Sequence, residues 1–442
     1  MSNLFVDALA VAVVLGVMIL VHEFGHFAAA KFFGVRVEVF SIGFGKRLVG
    51  FKYGDTDYRI AALPLGGYVK MTGENPMEAH TGDPAEFTSH PRWQRFIIAF
   101  AGPFMNIVLA IVLLTVVYMV RYEHPIYLDQ PAVIGWVIPN SAADKAGIEA
   151  GDRIANIEGL QNPTWEDVLP KVVLSPGQPV KLEVQRGSQF LDKTIIPQPT
   201  GPEQFGNPGW LPDQPNIVTE LDPGMPADKA GIKLGDTIVA LNGQPTRSIQ
   251  AVIRTLQENK DKPIALTIQR DGHDLNFTVT PTLSNVDGHE QWRLGFRSDP
   301  QHIDRLPFGK ALDKSLEQNR KNSLLILELV EKMVQRKVSM KQIEGPIGIA
   351  QASGEAAREK GWMPLLSLMS VISLNLGIFN LFPFPILDGG MILLLGIEAV
   401  RRRDISLALK ERIYQVAFVL LILFAVMVIY NDLARTIPGR LP

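Results

Sequence analysis

Two histidines near the start of the chain have the spacing of a shared metal site. His22 and His26 are four residues apart, so on a helix their side chains project from nearly the same face. Glu23 follows the first histidine and is placed to accept a proton from a water molecule at the metal. This H-E-x-x-H pattern is typical of zinc proteases. The sequence therefore predicts Zn²⁺ bound by His22 and His26, with Glu23 as the catalytic base.

A catalytic zinc takes three protein ligands, and Asp388 is the best candidate for the third. It ends the run Asn380-Leu-Phe-Pro-Phe-Pro-Ile-Leu-Asp388, in which two prolines interrupt an apolar segment. An interrupted helix is tolerated in a membrane only around a cavity, and ionisable residues at that depth are usually functional. An alternative is that Asp388 is the N-cap of a short helix from Met391 to Val400. Both roles are compatible with the sequence.

Three asparagines also lie in apolar segments. Asn380 stands beside the proline interruption, and we expect it to contact the substrate or the oxyanion. Asn106 and Asn375 are expected to have mainly packing roles, because amides in lipid more often join helices than perform chemistry.

The metal motif lies within a predicted membrane span. From Leu4 to Val21 every residue except Asp7 is apolar or small. Three further stretches reach the roughly 20 apolar residues that cross a bilayer; they are Phe96 to Val120, Met363 to Phe382 and Ile413 to Tyr430.

The 442 residues are 47% hydrophobic and include no cysteine, so a metal must be held by nitrogen and oxygen. The formal charge of −2 gives no electrostatic basis for binding nucleic acid.

Basic residues in short loops predict the orientation of the spans, because such loops stay in the cytoplasm. Lysine and arginine are frequent between the first two spans and again at 401–412. These two loops are therefore expected inside. Both chain termini and the long stretch between the second and third spans are expected outside, with the active site towards the cytoplasmic side.

The first cytoplasmic loop contains alternating, glycine-broken runs that indicate β-hairpins. One of them includes Gly66, Gly67, Tyr68 and Val69. Its exposed edge could pair with an extended substrate peptide through backbone hydrogen bonds. A membrane-associated hairpin with a purely structural role is the alternative.

An internal repeat occupies the long outer stretch. The phrase at 143–154 recurs at 227–238, and Leu182-Glu-Val-Gln-Arg186 recurs at the same spacing as Leu266-Thr-Ile-Gln-Arg270. The order of elements and the Ala-Gly-Ile and Gly-Asp phrases resemble circularly permuted bacterial PDZ domains, which bind extended peptides and often their C-terminal carboxylates.

In such domains the carboxylate loop falls late in each copy. The second copy offers Leu294, Gly295 and Phe296 for this role, whereas Pro208 in the first copy removes one backbone donor. We expect the second loop to bind a peptide C-terminus. The alternative for both copies is a steric filter over the membrane site.

The resulting fold class is a multi-domain α+β membrane protein. From Pro307 to Gln335, spaced apolar residues predict an amphipathic helix or helix pair, either on the outer membrane surface or bracing the second repeat, with a solvated connector as the alternative. The predicted segments are a first span in 1–33, a hairpin region in 34–95, a second span in 96–121, repeats in 122–212 and 213–300, the connector in 301–345, the interrupted third span in 346–400, and a basic loop with the fourth span in 401–442.

Together these motifs resemble the site-2 protease family of intramembrane zinc metalloproteases. The resemblance rests on H-E-x-x-H in the first span, Gly102-Pro-Phe-Met-Asn106 in the second, PDZ-like repeats outside, and the Asn380 to Asp388 run followed by two glycines. It implies His22, His26 and Asp388 as zinc ligands, Glu23 as general base, and a substrate-pairing loop at 63–71.

The resemblance also implies cleavage of single-span membrane proteins within the bilayer of the bacterial inner membrane, after a first protease has trimmed their outer part. Substrates of this kind include anti-sigma factors of the envelope stress response and remnant signal peptides. Two other functions remain as alternatives at this point, a non-catalytic PDZ membrane scaffold and a zinc-dependent transporter.

Overall fold

The computed structural model describes residues 3–74, 82–201, 204–286, 289–298, 300–338, 345–359 and 361–436. Contacts divide the chain into two compact units. The first, called here the helical unit, comprises Met1–Arg121, Arg305–Glu328 and Ile343–Pro442. The second, the sheet unit, comprises Tyr122–Asp304 and Leu329–Gln342.

The helices follow the predicted apolar segments closely. In chain order they are α1 Asn3–Phe33, α2 Arg92–Arg121, α3 Ala142–Lys145, α4 Trp165–Val173, α5 Pro226–Lys229, α6 Ile249–Asn259, α7 Phe308–Val334, α8 Pro346–Arg358, α9 Met363–Asn380, α10 Asp388–Arg401 and α11 Leu407–Thr436. Within the described ranges, four of them are long and apolar enough to cross a bilayer, namely α1, α2, α9 and α11. The prediction of four spans is confirmed.

Small residues allow the spans to approach closely. A Cβ atom added at Gly25 of α1 would lie 2.3 Å from the carbonyl oxygen of Ala101 in α2. Helix α9 packs on α2 through hydroxyls, since Ser370 Oγ donates to Ala110 O and Ser373 Oγ to Asn106 O, at 2.9 and 2.8 Å. Close backbone contact and hydrogen bonds to carbonyls are the usual means of joining helices in lipid.

Helix α8 joins α1 to α11 through two acidic residues. Asp7, in the first part of α1, pairs with Arg358 at the end of α8. Asp432 of α11 is buried and accepts backbone N–H groups from Gly345 and Ile347, each at 3.0 Å. These amides begin α8, so a carboxylate from a distant helix takes the place of a local cap.

The segment between the first two spans folds into two long bent strands, β1 Val37–Tyr53 and β2 Thr56–Met71. Residues 39–42 of β1 pair with 57–60 on one side and with 67–70 on the other, while 47–53 pair with 56–61. The hairpin is thus a sheet of four segments. Residues 67–71, called here the β2 edge segment, form one of its borders.

The sheet unit contains the remaining strands. They are β3 Tyr122–Pro125, β4 Ile134–Val137, β5 Arg153–Ile157, β6 Leu160–Gln161, β7 Val180–Arg186, β8 Gln189–Ile195, β9 Gln198–Thr200, β10 Phe205–Asn207, β11 Trp210–Pro212, β12 Asn216–Ile217, β13 Glu220–Leu221, β14 Thr237–Leu241, β15 Gln244–Pro245, β16 Ile264–Arg270, β17 His273–Val279, β18 Thr282–Val286, β19 His289–Arg293, β20 Phe296–Arg297 and β21 Gln301–Asp304.

These strands build the same arrangement twice. The main sheets have the orders β6-β5-β7-β8 and β12-β14-β16-β17, with β15 beside β14. Each copy has its own apolar core, around Trp165 in the first and Leu266 in the second. In each, an arginine binds a buried aspartate, Arg186 with Asp152 and Arg270 with Asp236, both at 2.7 Å. The repeated sequence therefore folds as a repeated structure.

Helix α7 is one continuous helix rather than a helix pair. Its buried residues in the described part are Ala311, Ser315 and Asn319, and Ser315 Oγ donates to Ile111 O of α2 at 2.9 Å. The apolar positions Leu324 and Leu327 remain about half exposed. The small and polar side of α7 is the one that packs on protein, because only small side chains let it approach α2 closely.

The Arg186–Asp152 pair leads to a stability prediction. Burial alone would raise the pKa of Asp152, but hydrogen bonds from Arg186 outweigh it and hold that pKa below its usual range. Replacing Arg186 by Ala leaves the buried carboxylate without its cation, which costs about 3 kcal/mol of unfolding free energy at neutral pH. Because the folded pKa is depressed, this contribution is present above the unfolded pKa of about 3.9 and is lost as the pH falls through the folded value.

Thermal unfolding of the full chain in detergent checks this prediction at neutral pH and below pH 4. Arg297→Ala is the control, because Arg297 pairs with Glu220 at the surface and should change stability by less than about 1 kcal/mol. Equal effects of the two substitutions at neutral pH would contradict the role of the buried pair.

Candidate metal centre

Three of the predicted residues converge inside the helical unit. One donor atom from each of His22, His26 and Asp388 lies within 4.8 Å of the other two. His22 Nε2 is 3.1 Å from Asp388 Oδ2, His26 Nε2 is 3.4 Å from Asp388 Oδ1, and the two Nε2 atoms are 3.2 Å apart. Both histidines are buried. Such an arrangement can hold one metal ion.

Two helices supply these side chains. The four-residue spacing on α1 places both imidazoles on one face, as expected. Asp388 is the first residue of α10, and the residue before it, Leu387, has the extended backbone of the N-cap. The interpretation of Asp388 as the N-cap of a helix from Met391 is therefore wrong. Asp388 has helical geometry, and its carboxylate turns to the histidines instead.

Helix α2 forms the wall behind the histidines. A Cβ atom added at Gly102 would lie 2.3 Å from His26 Nε2 and 2.9 Å from His22 Nε2. No side chain larger than hydrogen fits there without moving the imidazoles. Gly102 therefore belongs to the centre, although its side chain offers no ligand.

The second nitrogen of His26 is also held by α2. His26 Nδ1 lies 2.8 Å from the carbonyl oxygen of Ile98. Because a carbonyl can only accept, this nitrogen donates its N–H and leaves the Nε2 lone pair directed at the centre. Metal-binding histidines are usually oriented in this way.

His22 has a side-chain partner, Asn106. The amide nitrogen Nδ2 of Asn106 lies 3.2 Å from His22 Nδ1, and Asn106 Oδ1 is buried with no hydrogen-bond partner in the described part of the chain. Turning the amide by half a rotation places that oxygen against Nδ1, where it accepts an N–H. His22 Nε2 is then free to bind a metal. Asn106 also helps to join α9 to α2, as its expected packing role requires, and its contact with His22 comes in addition to that role.

The donor set fits zinc. Two imidazole nitrogens and one carboxylate oxygen are a known catalytic ligand set, which leaves a fourth position for water or substrate. Both imidazoles can present an Nε2 lone pair, and the wall at Gly102 leaves room close to these atoms. A chain without cysteine offers no thiolate ligand.

Glu23 lies next to the hairpin as well as to the metal centre. Its Oε2 accepts the backbone N–H of Val69 at 3.0 Å. A Cβ added at Gly67 would lie 3.5 Å from Glu23 Cγ and 2.8 Å from Ser41 O, so only glycine fits at this point. The predicted base and the β2 edge segment therefore touch each other.

The other predicted hairpin residues are held by packing. The ring of Tyr68 stacks on Phe44, with centroids 5.8 Å apart, and its hydroxyl bonds to Arg59. Gly66 has a φ of +124° and would meet the Phe44 ring if it carried a Cβ.

Two of the predicted polar residues, Asn375 and Asn380, have fewer contacts than Asn106. Asn380 is the last residue of α9, and neither its side chain nor that of Asn375 makes a hydrogen bond with another described residue. The prediction that Asn380 contacts substrate stays a prediction.

The two predicted carboxylate loops differ. Leu294 is a core residue whose carbonyl accepts the N–H of Ala227, and Gly295 has a φ of +83°. In the first copy Pro208 has no N–H, and Gly209 N donates to Asn207 Oδ1 at 2.8 Å. In the first loop the side chain of Asn207 therefore occupies the backbone N–H of Gly209. Among the described residues, no side chain occupies the corresponding N–H of Gly295 in the second loop.

Comparisons with known proteins show the family of this chain. The family model described as Peptidase family M50 matches residues 10–424. The regulator of sigma-E protease RseP of Salmonella typhimurium is 34% identical over 460 residues, covering 98% of this chain and 100% of its own. The protein of the same name from Escherichia coli is 32% identical over 455 residues, covering 97% and 98%. Protease RseP of Yersinia pestis is 33% identical over 465 residues, covering 98% and 100%.

The chain belongs to peptidase family M50. It is a zinc metalloprotease of the site-2 protease type, a multi-pass protein of the inner membrane that acts on membrane proteins. The predicted family, enzyme class and cofactor are confirmed. A non-catalytic scaffold and a transporter are set aside.

The contact between Asn106 and His22 can be tested by metal analysis of the purified protein. We expect Asn106→Ala to weaken zinc binding by about 10- to 100-fold, because groups that orient a ligand typically contribute this much. Asn375→Ala is the matched control, since it removes another amide from a span and should leave zinc binding unchanged. Similar zinc content in the two variants at limiting zinc would contradict the orienting role.

Proposed function

We propose that His22, His26 and Asp388 bind the catalytic zinc and that Glu23 is the general base for cleavage of a peptide bond within the bilayer. The observation that carries this proposal is the convergence of two buried histidines and a partly buried aspartate beside Glu23, which lies in a membrane span. Asp388 reaches the histidines from the far end of the sequence, which chance occurrence of H-E-x-x-H would not produce.

Zinc bound there would act as a Lewis acid, polarising the scissile carbonyl and lowering the pKa of water. Glu23 accepts a proton from the attacking water and afterwards donates it to the nitrogen of the leaving amine. Ile98 and Asn106 fix the orientation of the two imidazoles throughout. Asn380 is proposed to bind the substrate near the scissile bond, because it ends the helix just before the Asp388 segment.

The substrate is proposed to bind as an extended strand. A helical substrate hides its scissile carbonyl in an internal hydrogen bond, so the segment must unwind before it reacts. The β2 edge segment lies against Glu23 and carries Gly67, Tyr68 and Val69, so its backbone is close enough to the proposed base to pair with an unwound peptide there. Gly66 gives the bend that brings this segment there.

The sheet unit is proposed to contain two PDZ domains, in 122–212 and 213–300. Support comes from the repeated phrases and the duplicated sheets and arginine–aspartate pairs. In the second domain Leu294, Gly295 and Phe296 would bind a C-terminal carboxylate. The first is proposed to act without such binding, because Pro208 and the Asn207 side chain remove two donors from its loop.

The membrane arrangement follows from charge. We place both termini and the PDZ domains in the periplasm, and the hairpin region and the basic loop at 401–412 in the cytoplasm. The metal centre then lies towards the cytoplasmic side. The exposed apolar side of α7 is proposed to contact the outer membrane surface.

The names of the relatives suggest the pathway. They are called regulators of sigma-E protease, and we propose that this chain likewise acts in sigma-E regulation, on anti-sigma-factor and remnant signal-peptide substrates that another protease has already shortened. Incubating the purified protein with tagged single-span peptides, with and without chelator, and mapping the cut tests the proposal. A cut outside the apolar segment would overturn it.

The role of Glu23 can be separated from metal binding. Glu23→Gln should lower the cleavage rate by about 10²- to 10⁴-fold while zinc content is retained, because the substitution removes the base and keeps the size of the side chain. His26→Gln is the comparison, and it should lose both zinc and activity. Retention of full activity by Glu23→Gln would be incompatible with general base catalysis.

Strand capture can be tested by removing an edge donor. Val69→Pro deletes the outward N–H and should lower cleavage of single-span substrates by about tenfold or more, since proline cannot donate to a strand pair. Thr56→Ser in the same hairpin is the control for folding. If Val69→Pro binds zinc, unfolds at the wild-type temperature and cuts at the wild-type rate, substrate does not pair with this edge.

A further inference from the structure

The β2 edge segment has a defined outward side. Thr72 N donates to Arg36 O, so the backbone of Thr72 faces the neighbouring strand. In an antiparallel pair, residues alternate between facing the partner and facing away. Met71, Val69 and Gly67 consequently direct their N–H groups away from β1, towards the place where a substrate strand would lie.

Two carboxylates already occupy this side. Glu23 accepts Val69 N–H at 3.0 Å and Glu74 accepts Met71 N–H at 3.3 Å. Among the described residues, no side chain accepts the N–H of Gly67. Carboxylates placed on a free edge oppose further strand pairing, because they take the donors that an incoming carbonyl needs.

The two carboxylates are held differently. Glu23 comes from α1 and must turn to the reacting water during catalysis, so its bond to Val69 can be exchanged for a substrate carbonyl. Glu74 is fixed locally, since its own N–H donates to Met71 O at 3.3 Å and the turn between them contains Gly73 at a φ of +70°. The hydrogen bond from Met71 to Glu74 therefore stays in place when that from Val69 to Glu23 is exchanged.

Glu74 also borders a cavity of the helical unit. It lines a cavity of about 80 Å³ together with Phe87, Arg95, Met391 and Tyr414. Burial raises the pKa of Glu74 to about 7. Above that pH its carboxylate is ionised and is a strong acceptor for the Met71 amide.

We propose that Glu74 is a positioning residue that stops substrate strand pairing at Val69 and thereby selects which peptide bond reaches the metal centre. This inference rests on the proposed capture of substrate at the β2 edge segment. With the stop in place, a captured strand pairs at Gly67 and Val69 only. Without it, pairing extends to Met71, and because outward positions are two residues apart, the substrate can shift by two residues.

The experiment maps the cleavage position in a tagged single-span substrate by mass spectrometry at pH 8. Wild type is expected to cut at one principal bond. Glu74→Ala should add a product cut two residues away, with the ratio of the two products changed by about tenfold, the effect of one hydrogen bond. Glu74→Gln keeps an acceptor oxygen and should keep the wild-type position.

Glu38→Ala serves as a further control, because it removes a carboxylate that pairs with Lys70 in the same sheet. If Glu74→Ala does not fold, as judged by zinc content and thermal unfolding, Glu74→Ser replaces it. If the folded variant cuts only at the wild-type bond, at whatever rate, Glu74 does not limit strand pairing to Gly67 and Val69. The proposed capture of substrate as a strand is tested separately, by the cleavage rate of Val69→Pro.

Discussion

The metal centre depends on how closely α1 and α2 approach one another. Glycines at 25 and 102 remove the two side chains that would hold the helices apart, and the space that results is filled by imidazoles. Close approach also brings the carbonyl of Ile98 and the amide of Asn106 within reach of the outer ring nitrogens. A bulkier contact surface would separate the histidines from both their orienting groups and Asp388.

Three acidic groups in and near the described spans are paired, which avoids the cost of an isolated charge in lipid. Asp7 is paired with Arg358, and Asp432 binds backbone amides of α8. At the other end of the bundle the carboxylate of Glu398 is fully buried and lies 2.7 Å from Lys410 Nζ. These pairs fix α10 and α8 against their neighbours. Asp388 is the first residue of α10, so the ion pair between Glu398 and Lys410 also helps to hold Asp388 in place.

Side-chain oxygens accept several backbone N–H groups that a neighbouring strand would otherwise bind. On the β2 edge segment, carboxylates of Glu23 and Glu74 accept amides that a partner strand would otherwise bind. In the loop of the first repeat, Asn207 accepts the amide of Gly209. A free strand edge is a hazard for aggregation, and side-chain acceptors bound to its amides protect it.

Spacing and composition alone determined the four apolar helices, the two histidines on one helix face and the repeat, because hydropathy and helical periodicity are local properties. Asp388 could be named from its setting, but not its place in α10. The contact of Asn106 with His22 and that of Glu74 with Met71 depend on packing and on how the strand turns. Likewise, the apolar pattern of α7 predicted a helix, yet the side facing α2 is the one with Ser315. Which face is buried is decided by the shape of the neighbour, which only the tertiary structure supplies.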